Sequence, residues 1–466
     1  MLRGTLVFVA LLALGCRKHA PRGDGPKAVP STEVVPRGEP SRAQIEASLC
    51  GARSPCLLLD VTHAGLGLSV AKVTTDPAGA KDAPSPPGPG YCVPYEHWLV
   101  RSKDASIIDR RELLRVCNDG YGASQVGEDR ITIEPGRFTH VQYGGSAWRW
   151  EQGRTLELSP LRIVKTSWWS GSTVAAVAER GAFDWLAFRG RARWYRPACP
   201  SGGGPPPVID DDEMTIVDKP EDPRAYVYDP LPVVELPAAF RGGDWKTTAL
   251  GTCAPLLDGV GERGFVVFGP PGDGSDASLR VIAARTKDPK STVELYVEVA
   301  DDTPVGPSPK WLFDDHLEIW LKDEDPDPSE LCLPGAAGGG AGALRQWAIR
   351  LADGKTFPGM HAASSPDPFT IARSEGKSVD GRTVVRLKIG IAVTALEAIT
   401  VVYSDGDDGK TQERLIATSR LKLGKAPTLG RLWPIESNEA ICSVENGALD
   451  RKLTRAFAAD GPVLGE

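Results

Sequence analysis

The chain reads as all-β: two antiparallel β-sandwiches, jelly-roll-like, joined by a Gly/Pro-rich linker. Three observations predict this. First, apolar and polar residues alternate twice between Thr292 and Lys322. Val293, Leu295, Val297 and Val299 are interleaved with Glu294, Tyr296 and Glu298; Leu317, Ile319 and Leu321 with His316, Glu318 and Trp320. A period of two buries one side-chain set and exposes the other, as in a half-solvated antiparallel sheet. Second, short strand-like runs separated by Gly, Pro, Asn and Asp recur on both sides of the chain's middle. Third, Ser201 to Pro207, SGGGPPP, is rich in breakers and divides the two sets of runs.

Composition agrees. The 466 residues allow two or three domains, and 41% hydrophobic residues with twelve Trp argue for packed cores. A net charge of −7 gives no reason to expect nucleic acid, which wants a basic surface.

In chain order, residues 1–15 read as a signal peptide. Arg3 is its positive start, and Leu6 to Leu14 is its apolar core. That core is too short to span about 30 Å of hydrocarbon as a helix. Ala13-Leu14-Gly15-Cys16 resembles the bacterial lipobox, with Ala13 where Leu is usual. The resemblance implies a lipoprotein carrying its lipid on Cys16; the alternative is ordinary secretory cleavage beside an incidental Cys. Arg17, and not Asp, follows Cys16, which under the familiar sorting rule implies the outer membrane of a Gram-negative bacterium. Residues 16–45 are rich in Pro, Arg, Gly and Lys and read as a disordered tether between lipid and first domain.

Setting Cys16 aside leaves Cys50, Cys56, Cys92, Cys117, Cys199, Cys253, Cys332 and Cys442. An even set in an exported chain suggests disulfides, with no way to choose the pairing from sequence. Full pairing would require a bridge between the halves.

The first domain is placed at 46–200, with strands at Leu57 to Val61, Glu96 to Val100, Arg130 to Glu134, Phe138 to Tyr143, Thr155 to Leu158 and Thr173 to Val177. Arg110 to Arg115 reads as either strand or helix. Asn118, Asp119, Glu128 and Asp129 offer hard oxygen ligands in a Gly-rich loop; the alternative is a turn satisfied by its own side chains. Trp168 and Trp169 are candidate ligand-binding residues. Strand neighbours face opposite sides, so one of the pair is expected outside, although large aromatics more often supply core area. The linker is placed at 201–230, where Asp210 to Glu213 is read as a solvated charge run.

The second domain is placed at 231–436, and 437–466 is read as a tail. Strands are expected at Val233 to Leu236, Phe265 to Phe268, Ser278 to Thr286, Leu344 to Leu351, Thr383 to Ile389 and Ile399 to Tyr403. Two stretches here carry a family resemblance: TVELYVEVADDTPVGPSPKWLFDDHLEIWLK from Thr292, and VVYSDGDDGKTQERLIATSRL from Val401. They resemble family 9-like carbohydrate-binding modules and the related DOMON-like sandwiches, in which a "V-x-D-D-T" turn leads to "D-D-x-(V/L)-E-(I/L)-(F/W)-L". The resemblance implies a sugar platform at Trp311 and Trp320, the alternative for both being packing. Acidic groups cluster at Asp301-Asp302, Asp323 to Asp327, and Asp405 to Asp408, and distant loops gather at one end of a sandwich. The resemblance therefore also points to structural calcium held by Asp301, Asp302, Asp405, Asp407 and Asp408; the alternative is a set of polar turns.

Catalytic signatures are missing from the sequence: no H-E-x-x-H, G-x-S-x-G, P-loop or G-x-G-x-x-G after a strand. The sequence thus points to a non-catalytic envelope lipoprotein that binds a polysaccharide or envelope glycan. The alternative is a structural or adaptor lipoprotein that contacts envelope proteins. In both readings the membrane is a partner through the lipid, and nucleic acid is not.

Overall fold

The structure is a computed structural model. It describes residues 38–78, 94–117, 128–145, 148–172, 177–195, 225–228, 231–261, 263–272, 274–285, 293–304, 306–308, 310–323, 344–359, 367–378, 380–392, 396–419, 432–433 and 440–453. The stretch read as a signal peptide, Cys16 as the expected lipidation site, and Asn118 and Asp119 lie outside these residues.

The first half begins with helix α1 (Arg42–Cys50), which starts at the end of the stretch read as tether and runs into the expected first domain. Ser41 caps it: its hydroxyl accepts from the Gln44 N–H, while the Gln44 side chain accepts from the Ser41 N–H. This reciprocal bonding satisfies donors that a helix start otherwise leaves open. A Cys50–Cys56 disulfide ties the helix end to the first strand. Strands β1 (Leu57–Gly65), β2 (Leu68–Thr74), β3 (Pro94–Lys103) and β4 (Ser106–Cys117) form an antiparallel meander. Arg110 to Arg115 is therefore strand. A second meander runs β5 (Glu128–Glu134), β6 (Arg137–Gly145), β7 (Trp148–Leu158), β8 (Leu161–Ser172), β9 (Val177–Asp184), β10 (Arg189–Tyr195) and β11 (Ala225–Tyr228). Strand β11 comes from the region read as linker; its A-Y-V-Y run pairs with β10.

The second half is a two-layer sandwich. Its short entry strand is β12 (Leu231–Pro232), followed by helix α2 (Ala238–Gly242). One layer contains β14 (Ala277–Arg285), β15 (Val293–Asp301), β19 (Phe369–Lys377) and β20 (Thr383–Ile391), in the order β14-β15-β20-β19. The other contains β13 (Phe265–Phe268), β16 (His316–Asp323), β17 (Leu344–Arg350), β18 (Thr356–Pro358), β21 (Leu396–Asp405) and β22 (Arg414–Ala417), in the order β13-β22-β21-β16-β17-β18. The chain crosses repeatedly between these layers, as a jelly-roll implies, whereas the first half is built of plain meanders. Val293, Leu295, Val297 and Val299 of β15 meet Leu317, Ile319 and Leu321 of β16 in the core between the layers. Strand β23 (Leu432–Trp433) pairs with β12.

The stretch read as a tail contains a hairpin, β24 (Ala440–Glu445) and β25 (Ala448–Leu453). A Cys253–Cys442 disulfide fastens it to the second half. The Leu449 N–H also donates to the Ala249 carbonyl at 2.8 Å. Toward the first half, the Arg451 guanidinium donates to the Leu186 carbonyl at 3.0 Å and lies 4.5 Å from the centre of the Phe188 ring. One continuous apolar cluster runs from Phe138, Trp185 and Phe188 in the first half to Phe240, Trp245, Tyr296 and Leu449 in the second.

Candidate functional site

Antiparallel pairing collects the acidic loops. Asp301 closes β15 directly opposite Ala277, so Asp276 sits beside it. Strand β16 pairs with β21 from His316–Ser404 onward, which brings Asp315 next to Asp405. The result is a nest of carboxylates in three overlapping groups: Asp276, Asp405 and Asp407; Asp301, Asp315 and Asp405; Asp301, Asp302 and Asp407. Within each, one oxygen per residue lies within 4.8 Å of the others.

Asp301, Asp315 and Asp405 are buried. Arg414 offsets part of the charge, bonding Asp405 at 2.9 Å and also reaching Asp276. The Tyr403 hydroxyl donates to Asp301. Burial, then the charges of Asp276 and Asp301, push the Asp405 carboxyl up to about 7. Burial and the same kind of crowding push Asp407 up to about 6, and burial raises Asp301 as well. Six carboxylates sharing one end of a sandwich offer a hard divalent cation the all-oxygen surroundings that Ca²⁺ takes, roughly six to eight ligands. Such an ion would replace protons as the neutralising charge.

Of the five residues named from sequence, Asp301, Asp302, Asp405 and Asp407 meet in this nest. Asp408 does not. It is exposed, and its carboxylate accepts from the N–H groups of Lys410 and Thr411 at 2.7 and 2.8 Å, which holds it below the usual carboxylate range. It shapes the turn. Sequence reasoning missed Asp276 and Asp315 as members. Asp315 was legible in the D-D motif before β16; Asp276 was hidden in a Gly/Pro-rich loop.

A second grouping lies on the face of β16 turned away from the core. There His316, Glu318 and Trp320 alternate outward, but that face is itself covered. Trp320 is only 7% exposed and packs with Val402, Leu415 and Ala417. Its indole N–H donates to Glu318 at 3.0 Å. Trp320 is thus a buried wall and not an open platform, because the neighbouring strands carry apolar residues on this face too.

Trp311 sits differently. It lies half-buried on a single 3-10 turn before β16 and stacks on Phe357 of β18, centres 5.2 Å apart and planes 14° from parallel. Its ring also meets the edge of His316 at 5.3 Å. Beside this stack Glu318 accepts from Gln346 at 3.0 Å. Burial would raise the Glu318 carboxyl, yet His316, Trp320 and Gln346 together hold it below its ordinary range. Arg350 bonds Asp314 at 3.3 Å, and Asp314 accepts from the Ser308 N–H at 2.6 Å, pinning the loop that carries Trp311. His316 Nε2 faces Glu318 Oε1 at 3.8 Å, while the buried Gln346 Oε1 has no hydrogen-bond partner among the described residues. Buried polar atoms are normally satisfied, which sets Gln346 Oε1 apart beside the Trp311–Phe357 stack. Sequence reasoning found Trp311 and missed Phe357, Gln346 and Arg350, because their positions depend on β17 and β18 folding back beside β16.

Alternation on β8 separates the remaining candidates. Trp168 turns inward, 9% exposed, its indole lying over Gly181, where even a Cβ would fall 2.0 Å from the ring. Trp168 is therefore a packing residue. Trp169 turns outward and is half-buried.

No protein-family model matches this chain, and no curated protein matches it in sequence. Solved structures offer a distant likeness. One is a carbohydrate binding module family 9 (CBM9) from Caldicellulosiruptor kristjanssonii in complex with glucose, at 10% identity and a TM-score of 0.25, covering 40% of this chain and 92% of that one. Another is a module of the same family and organism in complex with cellotriose, at 10% identity and a TM-score of 0.26, covering 46% of this chain and 98% of that one.

Proposed function

We propose that this chain is a non-catalytic glycan-binding protein of the bacterial cell envelope, anchored in the outer membrane through lipid on Cys16. The observation that carries the reading is the half-buried Trp311–Phe357 stack with the polar side chain of Gln346 beside it. A sugar ring presents a flat C–H face and a rim of hydroxyls. An aromatic surface suits the first; polar side chains held at its edge suit the second. A Ca²⁺ ion held by Asp276, Asp301, Asp302, Asp315, Asp405 and Asp407 would order the loop between β15 and β16, since Asp301 and Asp315 stand at its two ends.

The test is binding of neutral oligosaccharides and polysaccharides to the full-length protein, with Ca²⁺ and with chelator. The reading expects binding that Trp311→Ala weakens at least about tenfold in a protein that stays folded. Absence of binding to every neutral glycan, or binding indifferent to Trp311, would sink it.

A further inference from the structure

The outward face of the first half's larger meander, on a different sheet from Trp311, gathers small, aromatic and charged side chains in register. The register sets up three parallel rows across the strands. Tyr143, Glu151, Trp169 and Arg180 lie opposite one another on β6 to β9. The next row on the same face is Val141, Gly153, Ser167, Ala182 and Arg191. The third is Thr139, Thr155, Lys165, Asp184 and Arg189. The middle row is small from Gly153 to Ala182, so it floors a trough between two taller walls. The Ser167 hydroxyl lies over Gly153, where a Cβ would come within 2.4 Å of it. With strands about 4.8 Å apart, the floor from Gly153 to Arg191 runs about 14 Å.

Charge along this trough opposes that of the chain. The protein carries −7 overall, yet this face sets Lys165, Arg180, Arg189 and Arg191 against Glu151 and Asp184; Arg180 is itself engaged, and Lys165 and Arg191 are exposed. Asp184 shares this end of the face, but its carboxylate accepts from the N–H groups of Leu186 and Ala187, both at 2.9 Å. Trp169 and Tyr143 stand half-buried in the wall.

We infer that this trough binds an acidic polysaccharide, one carrying uronate carboxylates. Arginine pairs with a planar carboxylate through two parallel hydrogen bonds, and the indole of Trp169 offers a flat surface to a sugar ring. A bilayer surface fits less well, because it is entered by several protruding apolar side chains, and among the described residues the rim offers Leu186, in the turn between Asp184 and Arg189.

The experiment is calorimetric titration of the full-length protein with an oligogalacturonate, a neutral cello-oligosaccharide and phosphatidylglycerol vesicles. The oligogalacturonate is expected to bind, and to weaken roughly tenfold as salt rises from about 0.05 to 0.5 M. Trp169→Ala is expected to weaken it at least about tenfold. The surface double variant Lys165→Gln, Arg191→Gln should do the same and flatten the salt dependence, whereas Trp311→Ala should leave the oligogalacturonate affinity intact. No oligogalacturonate binding would overturn the inference. So would binding unchanged in both trough variants, loss with Trp311→Ala, or displacement by vesicles at equal charge. Failure of neutral-glycan binding alone would count against Trp311 and not against this trough.

Discussion

The Tyr403 hydroxyl, fully buried, donates its hydrogen bond to the carboxylate of Asp301, 102 residues away in sequence and on the opposite layer of the sandwich. Burial and the charges of Asp315, Asp301 and Asp405 drive the phenol well above its ordinary range, so it remains a donor at any physiological pH. The acidic nest is thus braced on one side by a neutral hydroxyl and on another by Arg414.

The nest gives stability a definite pH dependence. Asp405 and Asp407 hold protons up to about 7 and about 6 in the folded chain, whereas the unfolded chain releases them near pH 4. The folded state therefore binds more protons between those limits, and stability falls as pH rises through them. In chelator, thermal unfolding is expected to move up by on the order of 2 °C on going from pH 7.5 to 5.5. Added Ca²⁺ should raise the midpoint at pH 7.5 and do progressively less as the pH drops.

Removing one charge should imitate a proton. Asp405→Asn is expected to stabilise the chelated protein at pH 7.5 and to blunt the Ca²⁺ response. Asp408→Asn should leave that response unchanged, since Asp408 lies outside the nest. Calorimetry across a Ca²⁺ series reads both.

Two tryptophans in one segment should separate by phenotype. Trp320→Ala empties a buried position and is expected to cost about 3–5 kcal/mol of stability. Trp311→Ala removes a half-buried ring and should cost less in denaturant titration while weakening neutral-glycan binding at least about tenfold.

The closing hairpin should matter to both halves. Cys442→Ser is expected to cost about 2–5 kcal/mol. Arg451→Ala, which frees the Leu186 carbonyl and uncovers Phe188, is expected to cost on the order of 1 kcal/mol. Hydrogen exchange should show the protection lost around 185–188 as well as in the hairpin.

The sandwich of the second half was legible because β15, β16 and β20 alternate cleanly, and alternation is a local property. Strand β8, LRIVKTSWWSGS, escaped because its inward set mixes Ile163, Thr166 and Trp168 with a bulge near Leu156 that breaks the period. The hairpin at 440–453 escaped because its polar run, ENGALDRK, reads as solvent-facing until the disulfide and Arg451 give it a surface to cover. At the candidate site, Asp301 and Asp405 could be read from their turns, but Asp276 and Gln346 become neighbours only through pairings that span tens of residues. Such pairings leave no local mark.

The apolar cluster that passes from Phe138 to Leu449 has a practical meaning. Among the described residues the core is shared: Phe240 and Trp245 of the second half lie in the same cluster as Phe138, Trp185 and Phe188 of the first. Neither half is a portable cassette. A fragment cut at the breaker-rich stretch would carry a raw apolar wound, and an insertion that splayed the halves would be felt in the melting of the entire body.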